Sequence, residues 1–245
     1  MKKILTLLAI SGMLAACKQN NLPPANVSAS LSFANAIVGS APLVSKFGNV
    51  NIIYSAVTSV NKISYGGSST FSEASGIIPV SFIQTTDTTH TLFTDNLNLQ
   101  TGGVYSLYMT GTVAQPDTVF IHENLAYHAA TDSVAGIRFI NLSPGTNPIS
   151  VDIKGMANGS EVTALAYKGR TGFKTYKADH TVTSYVFEFR DVTLGTLLAT
   201  YTLSGVNNAS SASFTSTNIV RFHNLTLALI GGSGTANSVI NIANY

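Results

Sequence analysis

The chain has 245 residues, of which 45% are hydrophobic and only 10% are charged. An average soluble domain carries about 25% charged residues, so this charge-poor composition favours an extracytoplasmic β-protein. Thirteen basic residues stand against 11 acidic ones, giving a net charge of +2, and this excludes the strongly basic surface that nucleic acid requires. A single cysteine excludes an intramolecular disulfide.

The first 17 residues have the pattern of a bacterial lipoprotein signal. Lys2 and Lys3 precede an apolar run that is too short to span a membrane, and Leu14-Ala15-Ala16 then leads to Cys17. This ending resembles the lipobox, and the resemblance implies that residues 1–16 are removed and that the Cys17 thiol is acylated. The acyl chains would then hold the protein at the membrane. The alternative is a free cysteine at the end of an ordinary secretory signal.

Residues 17–26 form a polar segment with Pro23-Pro24, and we expect a tether between the lipidated cysteine and the first domain. Lys18 stands where some lipoproteins carry the acidic residue that retains them at the inner membrane, so we expect the outer membrane. No acidic run follows to direct the protein to the cell surface. A periplasm-facing position is therefore favoured slightly over a surface-exposed one.

From residue 27 onward, apolar residues alternate with polar ones, and this period of two predicts half-buried strands separated by Gly- and Pro-bearing turns. The alternating positions are Ala29/Leu31/Phe33, Ile149/Val151/Ile153, Tyr185/Phe187/Phe189, Val220/Phe222 and Ile240/Ile242. No window of a dozen residues carries a helical stripe. We therefore expect an all-β fold.

The sequence also repeats at an offset of about 100 residues, which indicates domain duplication. The corresponding segments are Ser32-Phe33-Ala34-Asn35-Ala36 with Arg138-Phe139-Ile140-Asn141-Leu142, Tyr65-Gly66-Gly67 with Tyr167-Lys168-Gly169, and Phe71 with Phe173. We expect two tandem immunoglobulin-like β-sandwiches that span residues 27–128 and 133–245.

One stretch of the second half carries a family resemblance. Residues 136–145 followed by 149–153 resemble the family called domain of unknown function 4397, whose members open with an R-F-I/V-N-x-S-P strand and turn and continue into a V-D-V/I strand. The family's aromatic-Gly element is matched at Tyr167-Lys168-Gly169, and its Gly-then-Tyr strand at residues 102–111. The first copy departs from the pattern, with Ser32 where Arg is usual. The resemblance implies a β-sandwich of the envelope and supplies no catalytic residues. Together with the lipobox, it indicates an outer-membrane lipoprotein of Bacteroidetes type.

Reactive residues do not cluster in the sequence, which lacks a Gly-x-Ser-x-Gly elbow, a His-Glu-x-x-His helix and a phosphate loop. We therefore expect no enzyme, no metal site and no cofactor. His122 and His128 could share one strand face, but no third metal ligand is nearby. Arg138 is expected to point outward and to pair with Asp152 on the next strand, with ligand binding as its alternative role.

Binding is expected in turns at one end of the sandwiches, because loops on a rigid scaffold carry recognition. The candidate turns are residues 143–147, 65–69 and 167–170, and Tyr65 and Tyr167 are the expected ligand contacts. The alternative is that these segments are only tight turns.

Three Asp-Ser/Thr pairs followed by a third residue resemble the O-glycosylation acceptor of Bacteroidetes. Their acceptor residues are Thr88, Thr118 and Ser133.

These observations favour a lipid-anchored cell-envelope protein with a non-enzymatic binding or adhesion role. Its expected partners are the membrane, through Cys17, and a glycan or another envelope protein. Two alternatives stay open at this point. One is a glycan-capture accessory lipoprotein, and the other is a structural envelope spacer with no ligand.

Overall fold

Strands dominate the computed structural model, which describes residues 27–48, 62–129, 131–208 and 218–244. The predicted signal peptide, Cys17 and the predicted tether therefore lie outside the described residues. Across the described residues, no helix has the length and apolar character needed to cross a bilayer. The all-β prediction is confirmed.

The first half of the chain contributes eight strands to the described structure. They are β1 (Ser28–Asn35), β2 (Leu43–Phe47), β3 (Lys62–Ile63), β4 (Ser68–Ala74), β5 (Gly76–Gln84), β6 (Asp87–Leu99), β7 (Val104–Gly111) and β8 (Pro116–His122). They form two four-stranded sheets in the orders β4-β1-β7-β8 and β3-β2-β5-β6. The pair β1 and β7 is parallel, whereas the other neighbours are antiparallel.

The second half repeats this arrangement strand for strand. Its strands are β9 (Val134–Asn141), β10 (Ile149–Ile153), β11 (Val162–Leu165), β12 (Lys174–Lys177), β13 (Ser184–Asp191), β14 (Leu197–Ser204), β15 (Asn224–Gly232) and β16 (Thr235–Ala243). The sheet orders β12-β9-β15-β16 and β11-β10-β13-β14 follow from the first half by adding eight to each strand number. Each sheet thus takes all its strands from one half, and β9 and β15 form the parallel pair.

Two of the three apolar clusters lie inside the β-sandwiches. In the first half, Leu31, Phe33 and Leu107 pack against Phe82 and Leu97 of the opposing sheet. The equivalent cluster of the second half is built around Phe139, whose ring packs edge to face on the rings of Phe187 and Phe189. Such burial of large side chains is the main favourable contribution to folding. The β-sandwich is therefore confirmed, and the finer immunoglobulin-like assignment stays a prediction.

The third cluster lies between the halves, where the outer face of the β1–β7 sheet packs on the outer face of the β9–β15 sheet. Ala34 and Tyr108 from the first half contact Ile140, Ala228 and Ile242 from the second. The four sheets thus stack in one pile, with the two sheets that contain the parallel pairs in the middle.

This packing corrects two details of the predicted strands. We expected β1 to be half-buried, with Leu31 and Phe33 in the core and the opposite face exposed. Ser32 and Ala34 on that opposite face are buried as well, because the second half of the chain covers them. The alternation at Val220/Phe222 does not form a strand. These residues lie in a bend and a turn before β15, where Phe222 has a φ of 67°.

Candidate functional site

A buried ion pair joins the two halves. Arg138 on β9 is only 3% exposed, and its guanidinium donates from Nη1 to Glu123 Oε2 at 2.7 Å and from Nη2 to Glu123 Oε1 at 2.5 Å. Glu123 directly follows β8 of the first half, so the bidentate pair crosses the interface. Two parallel bonds of this kind fix geometry as well as charge.

Neutral groups complete the surroundings of the guanidinium. Its Nη2 also donates to Tyr108 Oη at 2.7 Å, and its Nε donates to Thr226 Oγ1 at 2.8 Å. Burial alone would lower the pKa of Arg138, but the hydrogen bonds and charge of Glu123, together with Tyr108, raise that pKa above its ordinary value. Arg138 is therefore a permanent cation held inside the protein.

The predicted pairing of Arg138 with Asp152 is wrong. Arg138 does point away from the sandwich core, as its neighbours require, but the other half of the chain and not solvent lies on that side. Asp152 is buried on the outer face of its own sheet and lies 3.5 Å from the Nε of Arg190.

A second polar contact crosses the interface from the opposite half. Asn244 directly follows β16, just as Glu123 directly follows β8. The N–H of Asn244 donates to the carbonyl of Asn224 at 2.8 Å, and the N–H of Glu123 donates to the carbonyl of Val104, the equivalent position of the first half, at 2.7 Å. The Asn244 side chain donates to Ser106 Oγ at 3.3 Å and accepts a hydrogen bond from Thr226. Residues at repeat-equivalent positions thus tie each half to the other.

The predicted turn at Tyr167–Arg170 lies where the halves meet. Tyr167 donates its hydroxyl to Thr110 Oγ1 at 3.3 Å, and Lys168 Nζ lies 2.8 and 3.0 Å from the two carboxylate oxygens of Asp117, both in the first half. Burial raises the pKa of Asp117, but Lys168 and the Thr118 N–H outweigh it, so the net pKa is lowered. The turn is therefore fixed at two points by its neighbour.

The turn at Tyr65 repeats the same backbone path. The N–H of Gly66 donates to Asn35 and that of Lys168 donates to Asn141, both at 2.8 Å, and both residues have positive φ values. The hydroxyl of Tyr65 is buried and has no hydrogen-bond partner among the described residues, because Ile230 occupies the position equivalent to Thr110.

Two open grooves flank the turn at Tyr167–Arg170. We call the first the hairpin groove, which has a volume of about 360 Å³. It is lined by Gly111, Thr112, Gln115, Pro116, Asp117, Pro144, Gly145, Tyr167 and Ser233. The predicted turn at 143–147 and the turn at 167–170 therefore contribute to one concave surface, whereas Tyr65 lines neither groove.

We call the second the edge groove, because it runs beside β8 at the edge of its sheet, and its volume is about 520 Å³. It is lined by Ile121, His122, Glu123, Asn124, Arg138, Lys168, Gly169, Arg170, Thr171, Gly172 and Phe173. Its walls come from both halves of the chain, so the groove exists only where the halves are packed together.

Phe173 gives the edge groove an aromatic wall. Its half-buried ring lies over the guanidinium of Arg138, with 4.6 Å between the guanidinium carbon and the ring centroid. The sequence pairs Phe173 with Phe71, but Phe71 instead packs against Phe33 and Phe47 in the first core. The structural equivalence of the two phenylalanines is therefore wrong, since they face opposite sides of their sheets.

The two histidines considered as metal ligands have separate partners. His122 stacks on Tyr105 with 4.5 Å between ring centroids, and the Nε2 of His128 lies 3.1 Å from Asn224 Oδ1. In the described ranges, no group of three His, Cys, Asp or Glu side chains is placed to hold a metal ion.

The candidate O-glycosylation residues differ in exposure. Thr88 is exposed at the tip of the β5–β6 hairpin, whereas Thr118 is half-buried within β8. Ser133 is half-buried between a turn and the start of β9 and has a φ of 48°. Modification at any of the three stays a prediction.

Sequence reasoning missed Glu123 and Phe173 as parts of the site. The available signal was the scarcity of charge, because only 11 acidic residues occur in the chain and Glu123 lies near the predicted boundary between the halves. A charged side chain in such a place requires a partner once it is buried.

Comparison with known proteins gives a family but no activity. The family model described as "Domain of unknown function (DUF4397)" matches residues 29–154, from β1 to just beyond β10. No curated protein matches the sequence. Among solved structures, the crystal structure of a "putative adhesin" from Bacteroides ovatus is 12% identical, with coverage of 93% of this chain and 97% of that one, and its TM-score of 0.23 is too low to carry an argument.

Proposed function

Since the chain belongs to the family called domain of unknown function 4397, we propose a function from its own geometry: a lipid-anchored binding protein of the bacterial cell envelope, without enzymatic activity. The ligand lies in the hairpin groove and the edge groove, on either side of the turn at Tyr167–Arg170. Tyr167 contributes a ring to the first groove and Phe173 contributes one to the second. A glycan is the ligand class that this combination of aromatic rings and small polar groups suits best.

The observation that carries this proposal is the construction of the edge groove from both halves. The buried pair of Arg138 and Glu123 and the outer pair of Lys168 and Asp117 hold the two walls in place. A preformed groove loses little conformational entropy when it binds a ligand, so even an open site gains affinity. A structural spacer would need no such concave surface between its halves.

The direction of β1 places the hairpin groove at the end of the molecule opposite the tether. The tether leads into Ser28, whereas the turns at Gly66 and Lys168 contact the ends of β1 and β9 at Asn35 and Asn141. An eight-residue strand spans about 23 Å. A lipid on Cys17 would therefore leave the hairpin groove at the end of the molecule that is farther from the membrane.

The anchoring part of the proposal is tested by Cys17→Ala. We expect the parent protein to partition into the detergent phase and the variant to be a soluble or unprocessed chain, because the acyl chains attach to that thiol. Phase separation in detergent, with immunoblotting of both phases, measures this. A variant that is membrane-bound and processed like the parent would contradict lipid anchoring.

The binding part is tested by filling the edge groove. Gly172 lines the groove, and a Cβ added there meets no atom within 4 Å, so Gly172→Trp adds a bulky ring to the groove lining, and its melting temperature checks that the fold is retained. Thr200→Trp on the exposed edge strand β14 is the matched control. On an array of immobilised saccharides, we expect retention by the parent and the control and loss of retention by Gly172→Trp.

The alternatives predict different array results. A protein that captures another envelope protein and no saccharide would not be retained on the array. In that case, we expect cross-linking to the partner protein by the parent and loss of cross-linking by Gly172→Trp. A spacer would show neither activity. Saccharide retention that is equal for the parent and both variants would place the site elsewhere on the molecule.

A further inference from the structure

The edge groove concentrates the positive charge of a charge-poor protein. Thirteen Lys and Arg residues occur in the chain, and removing Lys2, Lys3 and Lys18 leaves 10 in the described ranges. Three of these 10 line the edge groove: Arg138, Lys168 and Arg170. Glu123 is the one carboxylate among the lining residues, so the groove carries a local excess of positive charge that the net charge of the chain does not reveal.

Two of the three cations are neutralised within the protein. Glu123 forms a buried ion pair with Arg138, and Asp117 forms an exposed ion pair with Lys168. Arg170 is exposed and has no ion pair within the described residues. Its guanidinium is thus the cation of the groove that no carboxylate of the described residues neutralises, and it can donate hydrogen bonds to an anionic group of a ligand.

The backbone places Arg170 close to an aromatic ring. A β-bridge between Arg170 and Ile140 fixes the position of this segment against β9, and Thr171 N–H donates to Phe139 at 2.9 Å. Phe173 lies three residues after Arg170, and its ring forms part of the groove wall. A guanidinium binds a carboxylate through two parallel hydrogen bonds, and an aromatic ring packs on the apolar face of a sugar.

We propose that the edge groove binds an acidic saccharide, with a uronic acid carboxylate paired to Arg170 and a sugar ring packed on Phe173. This inference rests on the proposed function, since it names the ligand class of the same site. Asn124 is exposed and also lines the groove, and its side-chain amide can form hydrogen bonds with the hydroxyls of a further sugar unit.

The test uses the mature chain from residue 17 with Cys17→Ala, titrated calorimetrically with a hexamer of galacturonic acid and with a neutral glucose hexamer. We expect the acidic hexamer to bind more tightly and its affinity to fall as salt is added. Arg170→Gln should weaken that affinity by about tenfold or more, because a charge-assisted bidentate contact is lost. Lys154→Gln is the matched control, since it removes an exposed cation away from the groove, and its affinity should equal that of the parent.

The outcomes distinguish a failure of this inference from a failure of the proposed function. Equal affinities for the acidic and neutral hexamers, or an Arg170→Gln variant that binds like the parent, would overturn the acidic ligand class. Loss of both ligands in Gly172→Trp would still support the groove as the site. Binding of neither hexamer would also overturn the inference, whereas the saccharide array tests the proposed function independently. Melting temperatures of all variants confirm that the fold is retained.

Discussion

Arg138 and Glu123 show how a single residue can have a role that its neighbours in sequence do not reveal. A lone Arg between Ile137 and Phe139 on a strand is expected to reach solvent, because alternate residues face opposite sides of a sheet. Here the opposite side is a second protein surface, and the guanidinium is 3% exposed. A cation in that position is stable only because a carboxylate and two hydroxyl groups accept its hydrogen bonds.

We predict that Glu123→Ala lowers the free energy of unfolding by about 3–5 kcal/mol, because Arg138 is left as a buried charge without its carboxylate. The double variant Glu123→Ala/Arg138→Met should recover part of this loss, since no unpaired charge remains. Urea unfolding followed by circular dichroism, at unchanged m-value, measures both effects.

The control for this pair lies at the rim of the same interface. Lys168→Met removes the contact with Asp117, whose side chain is 42% exposed, and exposed ion pairs contribute at most about 1 kcal/mol. A Glu123→Ala variant that loses no more stability than Lys168→Met would contradict the role assigned to the buried pair.

Strands and turns could be predicted from the sequence where a short local pattern determines them. The alternation at Tyr185/Phe187/Phe189 lies in β13, and the repeated Tyr-x-Gly segments form equivalent turns with the same backbone hydrogen bonds. The alternation at Val220/Phe222 was misread, because two apolar residues in a turn produce the same short pattern as a strand. A period of two over three residues is too little evidence to distinguish them.

The burial of the serine-bearing faces of the central strands could not be predicted from the sequence. Ser32 on β1 and Ser106 on β7 look like solvent-facing residues, yet both are buried. Small side chains on these faces allow two sheets to approach closely, and Ser106 accepts a hydrogen bond from Asn244, which lies 138 positions away in the sequence. No local pattern encodes such a partner.

For the whole molecule, the duplication was visible in the sequence and the packing of the copies was not. The identical strand order of the two halves agrees with the repeat of Asn35 and Asn141, whose side chains each donate to a backbone carbonyl in the equivalent place. The proposed site, however, depends on residues that the repeat does not share. Arg138 stands opposite Ser32 in the alignment, and Glu123 stands opposite Asn244. The groove is therefore a product of divergence between the copies.

The most direct measurement of the central claim is hydrogen–deuterium exchange of the chain from residue 17 with and without the galacturonic acid hexamer. We predict slower exchange in residues 168–173 and 121–124, which line the edge groove, and unchanged exchange in β14, which lies in an outer sheet. Protection confined to the outer sheets, or no protection at saturating hexamer, would contradict a binding site between the two halves.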